Sequence, residues 1–373
     1  MMKAFFLTLI AISFLFPSLK VMAWGGRGHN TICEAAVFLL KEKSFKDSLQ
    51  QKPFLMGHLC NIPDFYWRSL SPEFTKLGNP THFVDVEITG LAIKDVPLDY
   101  KQIVETYTGK ISQFNKETTI RNVPTEFGSN WWRADQFFRR AVALGKDWKT
   151  SPAPANGKEE QDENFPYNKN TYNFYLNLGL MGHFVGDNSQ PFHCTGDYDG
   201  YAAGHGGIHA YFEDAIVGTM PYNLMAKVVE EGQRMQKMAV SKNKSEQTQV
   251  RFLNQKTVLE KMRSLGEISV AEIPLIYSLD KLKKPSIDKS EKGMSLRTAA
   301  ERESAELSNP KFQKLILKEL ARSAVLLAQL WDEAYVQVGQ PKLGAYKSYK
   351  FPFTAEFIPP DYFEIKAEEK KAK

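Results

Sequence analysis

The chain is poor in cysteine, in histidine and in net charge, and it has no run of strand-like alternation; each shortage narrows the possibilities. Three cysteines in 373 residues, Cys33, Cys60 and Cys194, are too few and too odd in number for a disulfide framework, so stability has to come from a core or from bound metal. A Cys33–Cys60 bridge and a pair of buried thiols both remain open. The apolar run 4–16 is shorter than the roughly 20 residues a membrane-spanning helix needs. With Lys3 before it and Val21-Met22-Ala23 after it, the run has the layout of a signal peptide over 1–23. Cleavage after Ala23 is expected to leave a secreted or periplasmic chain that begins Trp24-Gly25-Gly26-Arg27-Gly28-His29, with no transmembrane segment. Losing Lys3 and Lys20 lowers the formal charge from +5 to +3, a mild basicity compatible with an anionic substrate without demanding one.

What is abundant is helical periodicity. Apolar residues recur at three- and four-residue intervals over 31–43, 131–144, 170–186, 208–217, 224–238 and 315–338, and no stretch alternates as a strand would. The fold class expected is all-α, a multi-helix bundle with long loops. Residues 24–345 are expected to form one domain, with polar surface insertions near 149–164 and 281–291. The Pro-containing, charged tail 346–373 is expected to lie over the bundle or fray.

The seven histidines carry the chemistry. Three stand in one compact pattern, His183-x3-Asp187-x5-His193-x15-His209-x3-Glu213. Residues four apart share a helix face, so His183 can converge with Asp187 and His209 with Glu213, and imidazole with carboxylate is the ligand set of open zinc sites. One such pair alone is ordinarily a solvated contact; two in one short region are not so easily set aside. Gly186-Asp187-Asn188-Ser189-Gln190-Pro191 reads as a helix end and an immediate turn, which would return His193 beside Asp187. Upstream, Asp64 after Pro63 and His82 before Phe83 and Asp85 supply a further acid and imidazole; singly they read as an N-cap and a core histidine. His58 and His205 fit no ligand position.

In the order Trp24, His29, Asp64, His82, His183, Asp187, His193, His209 and Glu213, the chain resembles the superfamily of zinc-dependent phospholipases C and single-strand-specific nucleases. The resemblance implies three zinc ions. One would be held by Asp64, His82, His183 and Asp187, a second by the amine and carbonyl of Trp24 with His29 and Asp187, and a third by His193, His209 and Glu213. Asp187 would bridge the close pair and Asp64 would orient a zinc-activated water for in-line attack on phosphorus, making these two the catalytic carboxylates. No role falls to Cys194.

The implied activity is hydrolysis of phosphodiesters, foremost of single-stranded nucleic acid. Trp24-Gly25-x-x-Gly28-His29 resembles the nuclease opening, and Phe83 and Asp85 stand where nucleases place a base-stacking aromatic and a base-reading acid. The alternative is a phospholipase C acting on phosphatidylcholine-type lipids. It draws on Glu213, where nucleases have aspartate, and on an aromatic wall of Phe65, Tyr66 and Trp67 for a quaternary ammonium. A non-enzymatic secreted zinc-binding protein is the reading of another class.

Overall fold

The helix that organises the chain starts where one proline permits it and stops just ahead of another, Pro191. In the computed structural model, which describes residues 24–291, 294–343 and 355–364, this helix runs from Pro166 to Asn188 and is buried over most of its length. Pro166 sits at its first position, where a missing N–H costs nothing. The expected leader 1–23 and most of the expected tail lie outside the described residues.

Seven longer helices frame the described part: α1 Gly25–Leu39, α2 Pro53–Phe65, α3 Asn130–Ala143, α4 Pro166–Asn188, α5 Leu224–Ala239, α6 Val258–Val270 and α7 Ala305–Gln337. α4 packs on α1, α2, α3 and α7, and α1 packs on α2, α5 and α7. One contiguous apolar core joins them, with Trp24, Trp131, Trp331, Phe174 and Phe184 among its buried side chains. Among the described residues no helix is long and apolar enough to cross a membrane.

Close approach of α1 and α2 to α4 depends on two glycines. A Cβ at Gly182 would stand 2.5 Å from Cys33 Sγ and 2.6 Å from Cys60 Sγ, and one at Gly186 would stand 2.8 Å from the His29 ring. Cys33 and Cys60 form a disulfide that ties α1 to α2, which resolves the choice left open by the sequence. Closing a loop of this length stabilises by about 3 kcal/mol.

The structure departs from the sequence reading in the bounds of the first helix, in carrying strands, and in two helices, α2 and α6, that the periodicity did not mark. The helix expected over 31–43 starts earlier, at Gly25, and stops at Leu39, after which Leu40 is extended. Its glycine-rich first turn carries no periodicity, yet a Cβ at Gly28 would press to 2.8 Å on Trp24 Cβ. The expectation of no strand is corrected by two small antiparallel pairs, β1 Leu282–Lys284 with β4 Glu301–Arg302, and β2 Ile287–Glu291 with β3 Met294–Thr298. The chain is nevertheless mostly helical. Of the tail, Ala355, Ile358 and Pro359 lie on the bundle: their carbonyls accept from Trp67 Nε1 at 2.9 Å, Arg133 Nη2 at 2.5 Å and Gln136 Nε2 at 2.8 Å.

Candidate metal centre

Six segments meet at the site: the start of α1, the last turn of α2, the short helical turns Asn79–His82 and Pro191–Cys194, the C-terminal half of α4, and the short helical stretch Ile208–Ala210 that widens into a π-helical turn at Tyr211–Ile216. Asp64 lies within the last turn of α2, with Pro63 inside the helix, so it is not an N-cap. It points at α4, where His183 and Asp187 share a face.

His82 Nδ1 stands 3.0 Å from Asp187 Oδ2 and 3.8 Å from Asp64 Oδ1. His183 Nε2 is 3.4 Å from Asp187 Oδ2 and 3.0 Å from His82 Nδ1. His29 Nε2 reaches Asp187 Oδ1 at 3.3 Å and Asp64 Oδ2 at 4.0 Å. A second knot forms nearby, with His209 Nε2 3.0 Å from Glu213 Oε2, 3.1 Å from His193 Nε2, and His193 Nε2 3.8 Å from Glu213 Oε2. The turn after α4 therefore delivers His193 to Glu213 and His209, where it still acts electrostatically on Asp187. The ligand atoms fall into three groups, His29–Asp64–His183 and His82–His183–Asp187, which share His183, and a separate His193–His209–Glu213.

The ring nitrogens facing away from these groups are committed. His183 Nδ1 donates to the Cys60 carbonyl at 2.8 Å, His193 Nδ1 to that of His82 at 2.6 Å, and His209 Nδ1 to that of Tyr198 at 2.7 Å. A carbonyl only accepts, so each Nδ1 carries the proton and each Nε2 turns a lone pair inward, the outer hydrogen bonding typical of metal-ligating histidines. The carbonyl of one expected ligand, His82, thus orients another, His193. Trp24 is fully buried, its indole N–H donating to the Gly186 carbonyl at 2.8 Å and its backbone N–H to Glu213 Oε2 at 3.2 Å. Its carbonyl accepts from the Gly28 N–H at 3.0 Å, which leaves one lone pair.

Charge is badly balanced here without a cation. Asp64 Oδ1 and Oδ2, Asp187 Oδ1 and Glu213 Oε1 are buried and accept no hydrogen bond. Burial holds Asp187 up at about 8 and Asp64 at about 6, the latter against the pull of Arg68. Burial, then Arg68 and neighbouring imidazoles, drives His82 well below the ordinary range; burial and the adjacent His29 and His82 do the same to His183. Burial would raise Glu213, but His209 and His193 overcome it and bring it to about 2. Neutral imidazoles and half-satisfied carboxylates are what a divalent ion relieves, so the donor set fits metal. These buried His, Asp and Glu groups can bind metal ions.

The imbalance gives a pH-dependent prediction. Asp187 and Asp64 hold protons more tightly folded than unfolded, so without metal their contribution is complete below the ordinary 3.8 and is lost as pH rises through about 6 and about 8. His209, raised by Glu213 against the effect of burial, acts in the same direction. His82 and His183 act oppositely, but only below the ordinary 6.5. Between pH 6.5 and 8 the metal-free protein should therefore lose up to about 1.4 kcal/mol per pH unit from one such carboxylate. Thermal melts with chelator and with zinc at both pH values test this: the gap between the two melting temperatures should widen at pH 8, and a gap that narrows contradicts the charge assignment.

A cavity of about 370 Å³ opens onto the ligands, lined by His82, His193 and His209 together with Arg68, Thr75, Asn79, Phe83, Asp85, Phe192 and Tyr198. Phe83 and Asp85 are thus part of the cavity wall. Asp85 Oδ1 is buried without a hydrogen bond, and burial with Glu87 beside it raises this carboxyl well above its ordinary range. Arg68, which the sequence reading passed over, sits in the turn after α2 with Nε 3.1 Å from Asp64 Oδ1. Its spacing of four from Asp64 was the available signal. Phe65 is exposed and covers Gly26, where a Cβ would meet its ring at 2.8 Å, while Trp67 is buried against Phe137 and Phe357. The expected aromatic wall is not assembled. Cys194 is buried with Sγ near Asn188, and His205 pairs with Asp280 at 2.8 Å.

No protein-family model matches the chain, and no curated protein matches it.

Proposed function

We propose that the chain is a metal-dependent phosphodiester hydrolase acting on single-stranded nucleic acid, with zinc in three sites built from Trp24, His29, Asp64, His82, His183, Asp187, His193, His209 and Glu213. The observation that carries this is one cavity in which inward-facing imidazoles stand beside Arg68, Phe83 and Asp85. Divalent ions held there supply Lewis-acid polarisation of a phosphoryl oxygen and bring the pKa of water towards neutrality.

The chain's own residues do the rest. Arg68 presents a guanidinium at the cavity wall, where the charge of a phosphodiester has to be met. Asp64, between Arg68 and His29, is an acceptor that orients a nucleophilic water by taking its hydrogen bond. Phe83 offers a ring for an unstacked base, and Asp85 a carboxyl oxygen, Oδ1, without a hydrogen bond, for a hydrogen-bonding edge. That pairing favours a base over a choline headgroup, which has no N–H to satisfy Asp85. Burial of Trp67 weakens the phospholipase alternative.

The test assays processed, zinc-loaded protein on single-stranded DNA and on phosphatidylcholine vesicles, each with a chelator control. Chelator-sensitive cleavage of DNA is expected; release of phosphocholine alone would transfer the function to lipid, and metal binding without hydrolysis of bis-p-nitrophenyl phosphate would leave a non-enzymatic zinc protein. Asp85→Ala is expected to raise the KM for single-stranded DNA about tenfold, the worth of one such contact. Turnover of bis-p-nitrophenyl phosphate, which has no base, should stay within twofold of wild type; equal loss on both substrates removes Asp85 from base recognition.

A further inference from the structure

Arg27 lies in the first turn of α1 and places its guanidinium at the end of the turn that carries Glu213. Nη1 donates to the carbonyls of Val217 at 2.9 Å and Gly218 at 2.8 Å, and Nη2 to those of Met220 at 2.6 Å and Pro221 at 2.9 Å. Carbonyls at a helix end carry the negative end of its dipole; those of Val217 and Pro221 also accept the N–H groups of Met220 and Leu224 at 3.1 Å, and the cationic fork takes up their remaining lone pairs. Three residues earlier in the same turn of α1, the Trp24 backbone N–H meets Glu213 Oε2 at 3.2 Å. The first turn of α1 therefore grips the Glu213 segment at its middle, through Trp24, and at its end, through Arg27.

We infer that Arg27 is a positioning residue for the His193–His209–Glu213 site: it fixes the Glu213 turn against the start of α1, so that the site at the N-terminal residue and the site at Glu213 assemble as one unit. The inference rests on the metal-centre reading and adds to it a residue that touches no ligand atom. Geometry makes it specific to arginine, since a lysine presents one ammonium where four carbonyls surround a planar fork. The segment also has a second anchor, Asn309 Nδ2 donating to Thr219 Oγ1 at 2.7 Å, which should keep the turn folded when Arg27 is replaced.

The experiment compares wild type, Arg27→Lys and Arg27→Ala as full processed chains. Zinc retained at equilibrium against a competing chelator is counted, and amide hydrogen exchange over 208–221 is followed in metal-free protein. In Arg27→Ala the zinc of the His193–His209–Glu213 site should lose about ten- to a hundredfold in affinity, the range seen when an outer partner of a metal ligand is removed, while the others hold. Exchange over 217–221 should speed up at least tenfold, Arg27→Lys should recover only part of either effect, and millimolar guanidinium ion should restore both in Arg27→Ala. A purely structural role would lower the melting temperature without singling out one ion or answering to guanidinium. Wild-type zinc retention and wild-type exchange in Arg27→Ala overturn the inference. A wild-type chain that holds no metal overturns the metal-centre reading and this inference with it, so the two failures are distinct.

Discussion

Asp187→Asn should leave a folded chain that has lost both ions of the close pair that Asp187 would bridge, with turnover down at least about a thousandfold. The size follows from position: removing an outer partner costs 10- to 100-fold in affinity or activity, and a carboxylate shared between sites has to exceed that. Asp187 Oδ2 faces His82 at 3.0 Å and His183 at 3.4 Å, while Oδ1 faces His29 at 3.3 Å. The two oxygens are thus divided between two sets of nitrogens, the arrangement a bridge requires. Folding should survive because burial holds this carboxyl at about 8, mostly protonated at neutral pH without metal, and a neutral amide of the same shape replaces it closely. Metal content by elemental analysis, beside a melt of the metal-free protein, reads both halves. A variant that keeps every ion of the wild type shows that Asp187 is no bridge.

An extra residue joined to Trp24 should cost one ion and at least about a hundredfold in turnover, with no change of fold. Trp24 is anchored by its side chain, buried against Phe212 and hydrogen-bonded to the Gly186 carbonyl, so its position does not depend on what precedes it. Its nitrogen already stands 3.2 Å from Glu213 Oε2. As a peptide nitrogen it can only donate there, because its lone pair is delocalised into the carbonyl; as a free amine it can offer that lone pair to a metal. Chains beginning at Trp24 and chains carrying one preceding glycine, loaded with zinc in parallel, make the comparison. Equal metal and equal activity would take Trp24 out of the site.

How much of this was legible depended on whether a residue's partner lay on its own helix. His183 with Asp187 and His209 with Glu213 are spaced by four, and the sequence places each pair on one face before any fold is known. The helices containing them were legible for the same reason. That His29 and Asp64 join His183 was not readable from spacing, because it depends on Gly182 and Gly186 letting α1 and α2 approach α4. α2 escaped notice because it is broken in appearance by Gly57 and Pro63 and apolar on several sides, so it shows no clean stripe. The strand pairs over 282–302 were illegible because an arm at the surface buries little of either face, and burial of one face is what imprints alternation. Arg68, four residues from Asp64, was open to the same spacing rule, whereas Arg27 was not, since the carbonyls it meets lie far along the chain.

The most direct test of the account is a zinc titration of the processed, metal-free chain with turnover of single-stranded DNA as the readout. The three proposed sites predict no turnover without metal and a plateau near three equivalents. Cleavage that persists under chelator, or none at any zinc level in a folded chain that binds the metal, contradicts it.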